Sequence, residues 1–241
     1  DLNYISEFLE NINKQSKELE KKINFYCSEL KIPYPSGNNS ELLKLFKKGL
    51  IQKLFNKTVR FTKNDGTDFS EHKPITLEDI FSYRPTNSLS RDKLNSEKGE
   101  VMNIHYGDIH SKYKLLFNVE KETVPFVNSN VDISRIPTDY YCQNGDVIIA
   151  DASEDYEGIG KCIEIINLDG KKVLAGLHTI IARPSKNRFA AGFLGYLMST
   201  EEVRLQIMRL SHRSKVLGIS SKHISKIRVN IPEIDEQKII V

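Results

Sequence analysis

The chain has 241 residues, enough for one large domain or for one domain with an appendage. The hydrophobic content of 39% allows a packed core. No apolar run approaches the roughly 20 residues of a membrane helix. The acidic, amphipathic amino terminus is unlike a signal peptide. Cys27, Cys142 and Cys162 form no C-x-x-C pair, which argues against a zinc or disulfide framework and indicates a reducing, cytoplasmic setting.

The first thirty residues carry a heptad pattern. Positions 2, 5, 9, 12, 16, 19, 23, 26 and 30 are apolar except for Ser16, and their spacing alternates between three and four. The pattern predicts one helix over residues 1–30 with a single apolar seam. Another helix has to cover that seam, either from this chain or from another protein. A surface helix packed on its own domain is the alternative.

Further elements follow in chain order. Pro33, Pro35 and Gly37 predict a turn or linker over residues 31–40, and a second helix is expected over 41–55. Thr76 with Asp79 resembles a capping box for a short helix at 77–81. Strands are predicted at 101–104, 146–150, 161–166 and 173–182. The turn at 167–170 predicts that the last two strands form a hairpin.

The carboxy-terminal third is predicted to be more helical. Helices are expected near residues 188–198 and 202–210, and Ser199 with Glu202 gives a second capping-box signal. A last strand is predicted at 227–229. Residues 233–241 look like the opening turns of another helix.

Motifs for catalysis are missing or incomplete. Gly160-Lys161 lacks the flanking residues of a phosphate-binding loop, so a strand-entry turn is the better interpretation. The sequence contains no G-x-G-x-x-G, H-E-x-x-H or Asn-Pro-Pro-aromatic motif. His178 is predicted to be a buried, hydrogen-bonded residue of an apolar strand. Asp151, Glu154 and Asp155 suit either a metal-dependent nuclease or a solvated loop.

The positive charge is concentrated in one segment. Residues 170–230 contain twelve Lys and Arg but only two acids, while the remainder of the chain is net acidic. A local basic segment is what a polyanion would encounter, even though the net charge is only +3.

Five stretches, in this order, resemble the DNA-specificity subunits of type I restriction-modification systems. They are KKGLIQKLF (47–55) with VRF (59–61), IHYGDI (104–109), GDVIIAD (145–151) continuing to Lys161, AGLHT (175–179) with Arg183-Pro184, and GIS (218–220) followed by IP (231–232) and EQKI (236–239). Each stretch is weak alone, but their order and spacing make the resemblance specific.

The resemblance implies a fold and an architecture. It implies an α/β fold, a mixed-sheet target-recognition domain with a long coiled-coil-forming helical arm. Residues 1–57 would be the conserved arm, interrupted near 31–40, residues 58–230 the recognition domain, and 231–241 the start of the next conserved helix. The chain would then correspond to one repeat of the family, as a half-sized subunit or a fragment.

The resemblance also implies partners. Such a subunit is not an enzyme; it would read one half of a bipartite double-stranded DNA site and dock adenine methyltransferase and restriction subunits. S-adenosylmethionine, Mg²⁺ and ATP would be bound by those partners, with no cofactor in this chain and no membrane association. The helical arm would pair with another specificity half or within a homodimer.

The residue types of the basic segment agree with this interpretation. Base reading requires polar donors on a rigid frame, and phosphate contacts require Lys and Arg. Loops are expected at 211–215 and 220–223, with a second loop around 106–113. A solvated surface charge is the alternative for any single member. The predicted DNA-binding residues are Tyr106, Lys112, Tyr113, Arg183, Lys186, Arg188, Arg213, Ser214, Lys215, Ser220, Lys222 and His223.

Two other functions remain open at this point. A coiled-coil adaptor could use the basic face to bind an acidic protein or RNA. A metal-dependent nuclease built on Asp151, Glu154 and Asp155 is the weaker alternative.

The heptad seam yields a prediction. The double substitution Leu9→Asp with Ile12→Asp should abolish helix pairing, because two charges would face an apolar partner, and should leave the recognition domain folded. Sedimentation measures the pairing and circular dichroism the folding. An unchanged oligomeric state and unchanged partner binding would contradict the predicted seam.

Overall fold

A computed structural model describes residues 17, 20, 21, 23–25, 27, 28, 40–63, 65–185, 188–213 and 216–241. The chain divides into two compact units, Asp1–Ser70 with Ile240 and Glu71–Ile239 with Val241. The division falls later than the domain boundary expected at residue 58, and that boundary stays a prediction. Among the described helices, none is long and apolar enough to cross a bilayer.

The first unit contains the helix α1, Ser40–Phe55, as predicted for residues 41–55. Ile23 and Cys27 have helical backbone and are buried together with Phe46 of α1 packed against them. Ile23 was predicted on the seam, so this seam position finds its partner within the same unit. The other predicted seam positions lie outside the described residues. The predicted linker over residues 31–40 also lies outside them, except for Ser40, which begins α1.

The second unit is a mixed α/β structure, as expected. Its strands are β1 Lys73–Thr76, β2 Phe81–Arg84, β3 Leu94–Asn95, β4 Val101–Ile104, β5 Leu116–Asn118, β6 Phe126–Val127, β7 Val147–Ala150, β8 Ala152–Ser153, β9 Cys162–Asn167, β10 Lys172–Ala175, β11 Thr179–Pro184, β12 His212–Arg213, β13 Leu217–Gly218 and β14 Arg228–Ile231. Its helices are α2 Tyr106–Ser111, α3 Phe193–Met198, α4 Glu201–Leu210, α5 Ser221–Ile224 and α6 Ile234–Ile240.

Two sheets form the centre of this unit. One has the order β2-β11-β7-β9-β5 and is antiparallel except for its β9–β5 pair; the other has the order β10-β4-β6-β3, with β10 and β4 parallel. The apolar core combines buried side chains from both sheets, among them Ile104, Phe117, Ile148, Ile163 and Val173. Burying each such side chain contributes roughly 1.5–3 kcal/mol. Two smaller sheets lie outside these: the two-stranded sheet β1–β14 and the three-stranded sheet β12-β13-β8.

The predicted hairpin between residues 161–166 and 173–182 is wrong. The chain does turn at Asp169 and Gly170, which both have positive φ. However, β9 is flanked by β7 and β5, so it offers no free edge to the next strand. The chain therefore crosses into the other sheet, where β10 pairs in parallel with β4.

The strand predicted over residues 173–182 is two strands, β10 and β11. His178 has a φ of 58°, in the left-handed region, which interrupts the extended backbone. Gly176 lies so close to Asn103 that an added Cβ would be only 2.5 Å from the side-chain Nδ2 of Asn103. The apolar run alone gave no sign of this break.

Both capping-box predictions need correction. Asp79 does accept hydrogen bonds from the backbone and the hydroxyl of Thr76, but residues 77–80 form a turn that leads into β2 instead of a helix. In α4 the capping oxygen belongs to Thr200, which accepts from the Val203 N–H, and not to Ser199. The helix predicted near 188–198 begins only at Phe193.

A buried carboxylate sets the start of α3. Glu164 of β9 is buried, and its two carboxylate oxygens accept from the N–H groups of Gly192 and Gly195, each at 2.6 Å. Gly192 has a φ of 93°, which suits a residue without a side chain. Glu164 therefore ties α3 to the central sheet.

Two thiols are enclosed in the second unit. Cys142 and Cys162 are buried and free. Burial raises the pKa of both, that of Cys162 to about 12.

The role of Glu164 can be tested by substitution. Glu164→Ala leaves two buried N–H groups without an acceptor and should lower the free energy of unfolding by about 3 kcal/mol. Glu164→Gln keeps one acceptor oxygen, so its free energy of unfolding should lie between those of the parent protein and Glu164→Ala. Urea unfolding measures both, with exposed Glu97→Ala as the control. A loss in Glu164→Ala no larger than that in Glu97→Ala would contradict the assignment.

Candidate nucleic-acid interface

The first part of the candidate interface is α2 with the residues that flank it. His105 caps the helix, because its Nδ1 accepts a hydrogen bond from the Gly107 N–H at 3.1 Å. The buried carboxylate of Asp108 receives two hydrogen bonds from the Arg91 guanidinium, at 2.7 and 2.9 Å, and one contact from Lys112 at 2.9 Å. Burial alone would raise the pKa of Asp108, but the hydrogen bonds from Arg91 and Lys112 outweigh it, and the pKa is lowered. One buried anion thus holds two cationic groups at the surface.

Tyr106 connects α2 to the turn that precedes β11. Its ring centroid lies 4.8 Å from that of His105, 6.0 Å from that of His110 and 5.3 Å from that of His178. His178 is not the buried strand residue that the sequence predicted: its side chain is 48% exposed. Its Nδ1 lies 3.3 Å from a carboxylate oxygen of Asp151, the residue after β7. The positive φ of His178 turns the ring outward instead of into the core.

The second part is a three-stranded ribbon. Residues 211–215 were expected to be a loop, but His212 and Arg213 form the short strand β12, which pairs with β13, and β13 pairs with β8. Ser220 caps α5, and its hydroxyl lies 3.0 Å from Nδ1 of His223. The Nε2 atoms of His223 and His212 are 3.3 Å apart.

These parts lie along two adjoining grooves. One groove is lined by Tyr106, His110, Lys161 and the acidic loop Glu154, Asp155 and Glu157, and the other by Asp151, His212, Ser220 and His223. Both grooves share Ala152, His178 and Val216. We call this surface the histidine face, defined by His105, His110, His178, His212 and His223. The sixth histidine, His72, is buried beside Glu236.

Positive charge gathers at both ends of the histidine face. The pKa of His105 is lowered, first by burial and then by the charge of Arg91. The pKa of His223 is also lowered, first by desolvation and then by the charges of His212, Lys226 and Lys222. A lowered pKa favours the neutral form of each ring, which offers one donor and one acceptor. The acidic loop lines the groove that also contains Tyr106 and His110.

The structure brings five of the predicted site residues to the histidine face: Tyr106, Lys112, Ser220, Lys222 and His223. The backbone of Arg213 pairs with Leu217 in the hairpin. Lys186, Ser214 and Lys215 lie outside the described residues. Arg188 is exposed, and its guanidinium donates to the carbonyl oxygen of Asp79 at 2.9 Å.

Tyr113 and Arg183 have structural roles that the sequence did not indicate. Tyr113 was expected in a surface loop, but it is buried, and its ring packs edge-on against Phe117 at 5.2 Å. Arg183 donates two hydrogen bonds, at 2.9 and 2.8 Å, to the buried carboxylate of Asp146. Arg183 also lies five residues along the chain from His178, roughly 17 Å in an extended strand, at the opposite end of β11.

The basic segment contains other charges with internal roles. Lys172 pairs with Glu100, and Arg204 donates to the carbonyl oxygens of Tyr156 and Glu157. The charge available to a partner is therefore smaller than the residue count of the segment indicates.

Several members of the interface were missed from the sequence: Arg91, His105, His110, His178, His212 and Lys226. The concentration of histidines in residues 105–110 and 212–223 was a usable signal, since only two of the six histidines lie elsewhere. Arg91 gave no local signal, because its position depends on a pairing with Asp108 across 17 residues.

The predicted nuclease alternative finds no support in the described part of the chain. Asp151 is engaged by His178, and Asp155 accepts a hydrogen bond from the Gly158 N–H at 2.6 Å. Within the described ranges, no group of three or more His, Cys, Asp or Glu side chains could hold a metal ion.

Comparisons with known proteins relate the chain to one family. The family profile described as "Type I restriction modification DNA specificity domain" matches residues 70–241. No protein with a curated description matches the sequence. Among solved structures, the chain is similar to the HsdS subunit from Thermoanaerobacter tengcongensis, at 12% identity and a TM-score of 0.51 over 99% of this chain and 46% of that one.

A second similar structure comes from a study of complex assembly and conformational transition of the type I R-M system. It shares 13% identity with a TM-score of 0.51, over 98% of this chain and 48% of that one. At these identities the likeness concerns the fold, and the chain spans less than half the length of both relatives.

The roles of Arg183 and Arg188 can be separated by experiment. Arg183→Ala leaves the buried Asp146 carboxylate without its cation and should lower the free energy of unfolding by about 3–5 kcal/mol. Arg188→Ala removes an exposed side chain and should change it by no more than about 0.5 kcal/mol. Urea unfolding of both variants measures the difference. Equal stability of the two would show that Arg183 is not a structural residue.

Proposed function

Because the chain belongs to the family of type I restriction-modification DNA specificity domains, we propose that it reads one half of a two-part double-stranded DNA target. The observation that carries this proposal is the histidine face, where segments more than a hundred residues apart in sequence bring polar side chains onto one surface with cations at both ends. Polar groups between flanking cations suit a duplex, whose base edges lie between two phosphate strands.

The cationic side chains and the polar side chains of the histidine face would have different roles. At one end Lys112 and Arg91, and at the other Lys222 and Lys226, would contact phosphates. These contacts carry affinity and register but little sequence information. Asp108 positions the charges at one end, and at the other Lys222 lies on α5 and Lys226 follows that helix.

The groove between the cations would read bases. Tyr106, His178 and Ser220 can donate or accept hydrogen bonds, and carboxylates such as Glu154 can accept from the amino group of cytosine. Arg213, with Ser214 and Lys215 that follow it in the sequence, would extend this reading surface. Acidic side chains there would repel a phosphate, so they favour base edges over backbone at the centre.

Lys186 and Arg188 remain proposed phosphate contacts. Arg183 and Tyr113 are left out. The side chain of Arg183 is only 11% exposed, against 49% for Arg91, and the ring of Tyr113 is buried in the core, so neither is available to DNA.

The chain is a non-catalytic specificity component, in line with its family. We propose that its helical segments dock adenine methyltransferase and restriction subunits and pair with a second specificity half. S-adenosylmethionine, Mg²⁺ and ATP would then be bound by those partners.

The proposal is tested by DNA binding of the chain assembled with its methyltransferase partner. Lys222→Ala with Lys226→Ala should weaken binding to all duplexes and reduce the salt slope by about two, since each lost phosphate contact removes roughly 0.9. His178→Ala should cost roughly 1–3 kcal/mol on the cognate duplex and relax the choice at one position. Fluorescence anisotropy at several salt concentrations, on cognate and scrambled duplexes, measures both effects.

The matched control is Lys98→Ala, another exposed lysine, which should leave affinity and salt slope unchanged. Thermal melts establish that each variant is folded. If folded Lys222→Ala/Lys226→Ala and His178→Ala variants bound like the parent, the histidine face would not be the DNA surface. Preference for RNA over duplex DNA would favour the adaptor function instead.

A further inference from the structure

Two histidines of the histidine face point their ring nitrogens at each other. His212 lies in β12 and His223 in α5, and their Nε2 atoms are 3.3 Å apart. The ring centroids are 4.6 Å apart and the ring planes are nearly perpendicular, at 81°. Two imidazole nitrogens bound to one tetrahedral zinc ion, each at about 2.0–2.1 Å, are themselves about 3.3–3.4 Å apart. The observed separation therefore equals that of two ligands of one ion.

A third side chain orients one of the two rings. The Ser220 hydroxyl lies 3.0 Å from Nδ1 of His223 and also accepts from the His223 backbone N–H. When Nδ1–H donates to Ser220, the lone pair of His223 is on Nε2, the atom that faces His212. Metal-binding histidines are commonly held through their other ring nitrogen in this way.

We propose that His212 and His223 form a two-histidine binding site for a divalent transition-metal ion such as Zn²⁺. Two imidazoles suit Zn²⁺, Ni²⁺ or Cu²⁺, whereas Mg²⁺ and Ca²⁺ prefer oxygen ligands. Within the described residues no third His, Cys, Asp or Glu completes the set, so water would fill the remaining positions. Asp151 and His178 line the same groove and could bind such a water.

The surroundings set the expected strength of binding. Lys222 and Lys226 bring positive charge near His223, which opposes a cation and keeps the affinity moderate. Without metal, one ring can donate its Nε2–H to the other.

A bound ion would join two elements that are otherwise separate in sequence. His212 lies at the base of the β12–β13 hairpin, and His223 lies on α5, eleven residues further along. The ion would fix the hairpin relative to α5. This inference does not depend on the proposed DNA-reading function.

The test uses the full chain and the metal alone, without DNA. Isothermal titration with Zn²⁺ near pH 7.5 should show one saturable site in the micromolar range and no Mg²⁺ binding. His212→Ala and His223→Ala should each weaken binding at least tenfold, and the double variant should lose no more than either single one, because both ligate one ion. Ser220→Ala should weaken binding roughly tenfold by releasing the ring.

His110→Ala is the matched control, since it removes a histidine of the adjoining groove and should leave the affinity for Zn²⁺ unchanged. Thermal melts without metal establish that the variants are folded. Nitrogen coupling from two imidazoles in the Cu²⁺ electron paramagnetic resonance spectrum, lost in His223→Ala, would support the site. No saturable Zn²⁺ binding, or binding unaffected in both His212→Ala and His223→Ala, would overturn it.

Discussion

The antiparallel pairing of β11 with β7 fixes both ends of the central sheet, and the rest of the second unit depends on it. At one end of this strand pair, Arg183 is held by the buried Asp146 carboxylate. At the other end, Asp151 follows β7 and His178 precedes β11; their side chains contact each other and line a groove. A shift of one residue in this register would separate the ion pair and turn every inward side chain of β7 outward. Stability and the candidate interface are therefore two consequences of one strand register.

Local elements were predictable where the pattern was local. The helix at 40–55, the short strands at 101–104 and 147–150, and the final helix follow from apolar spacing and turn residues. Which strand pairs with which was not predictable in the same way. The turn at Asp169-Gly170 is typical of a hairpin, but the edges of β9 were already taken by β7 and β5. Which strands pair with the two edges of β9 depends on segments far apart in sequence. A short stretch of sequence around the turn does not contain those segments.

The segments predicted for the site, 106–113 and 220–223, contribute residues to the histidine face, whereas Tyr113 and Arg183 have internal roles. The DNA-binding role of these segments stays a prediction. Ser220, Lys222 and His223 lie where the basic segment indicated. Arg183 was misread, because a lone arginine in a basic stretch looks exposed until its buried partner, 37 residues earlier, is known. His178 was misread for the opposite reason: its neighbours are apolar, but a single positive φ places its ring at the surface. Side-chain exposure depends on tertiary partners and on single backbone angles, and residue type determines neither.

The two enclosed thiols of the second unit have a practical consequence. The thiolate is the reactive form of cysteine, and burial of Cys142 and Cys162 suppresses both ionisation and access. Alkylation of either residue therefore requires the surrounding core to open. Cys142 precedes β7 and donates its backbone N–H to the Val173 carbonyl oxygen of β10, and Cys162 begins β9. The rate at which each is labelled gives the free energy of opening of two parts of the second unit, one beside β10 and one at β9, without any introduced probe.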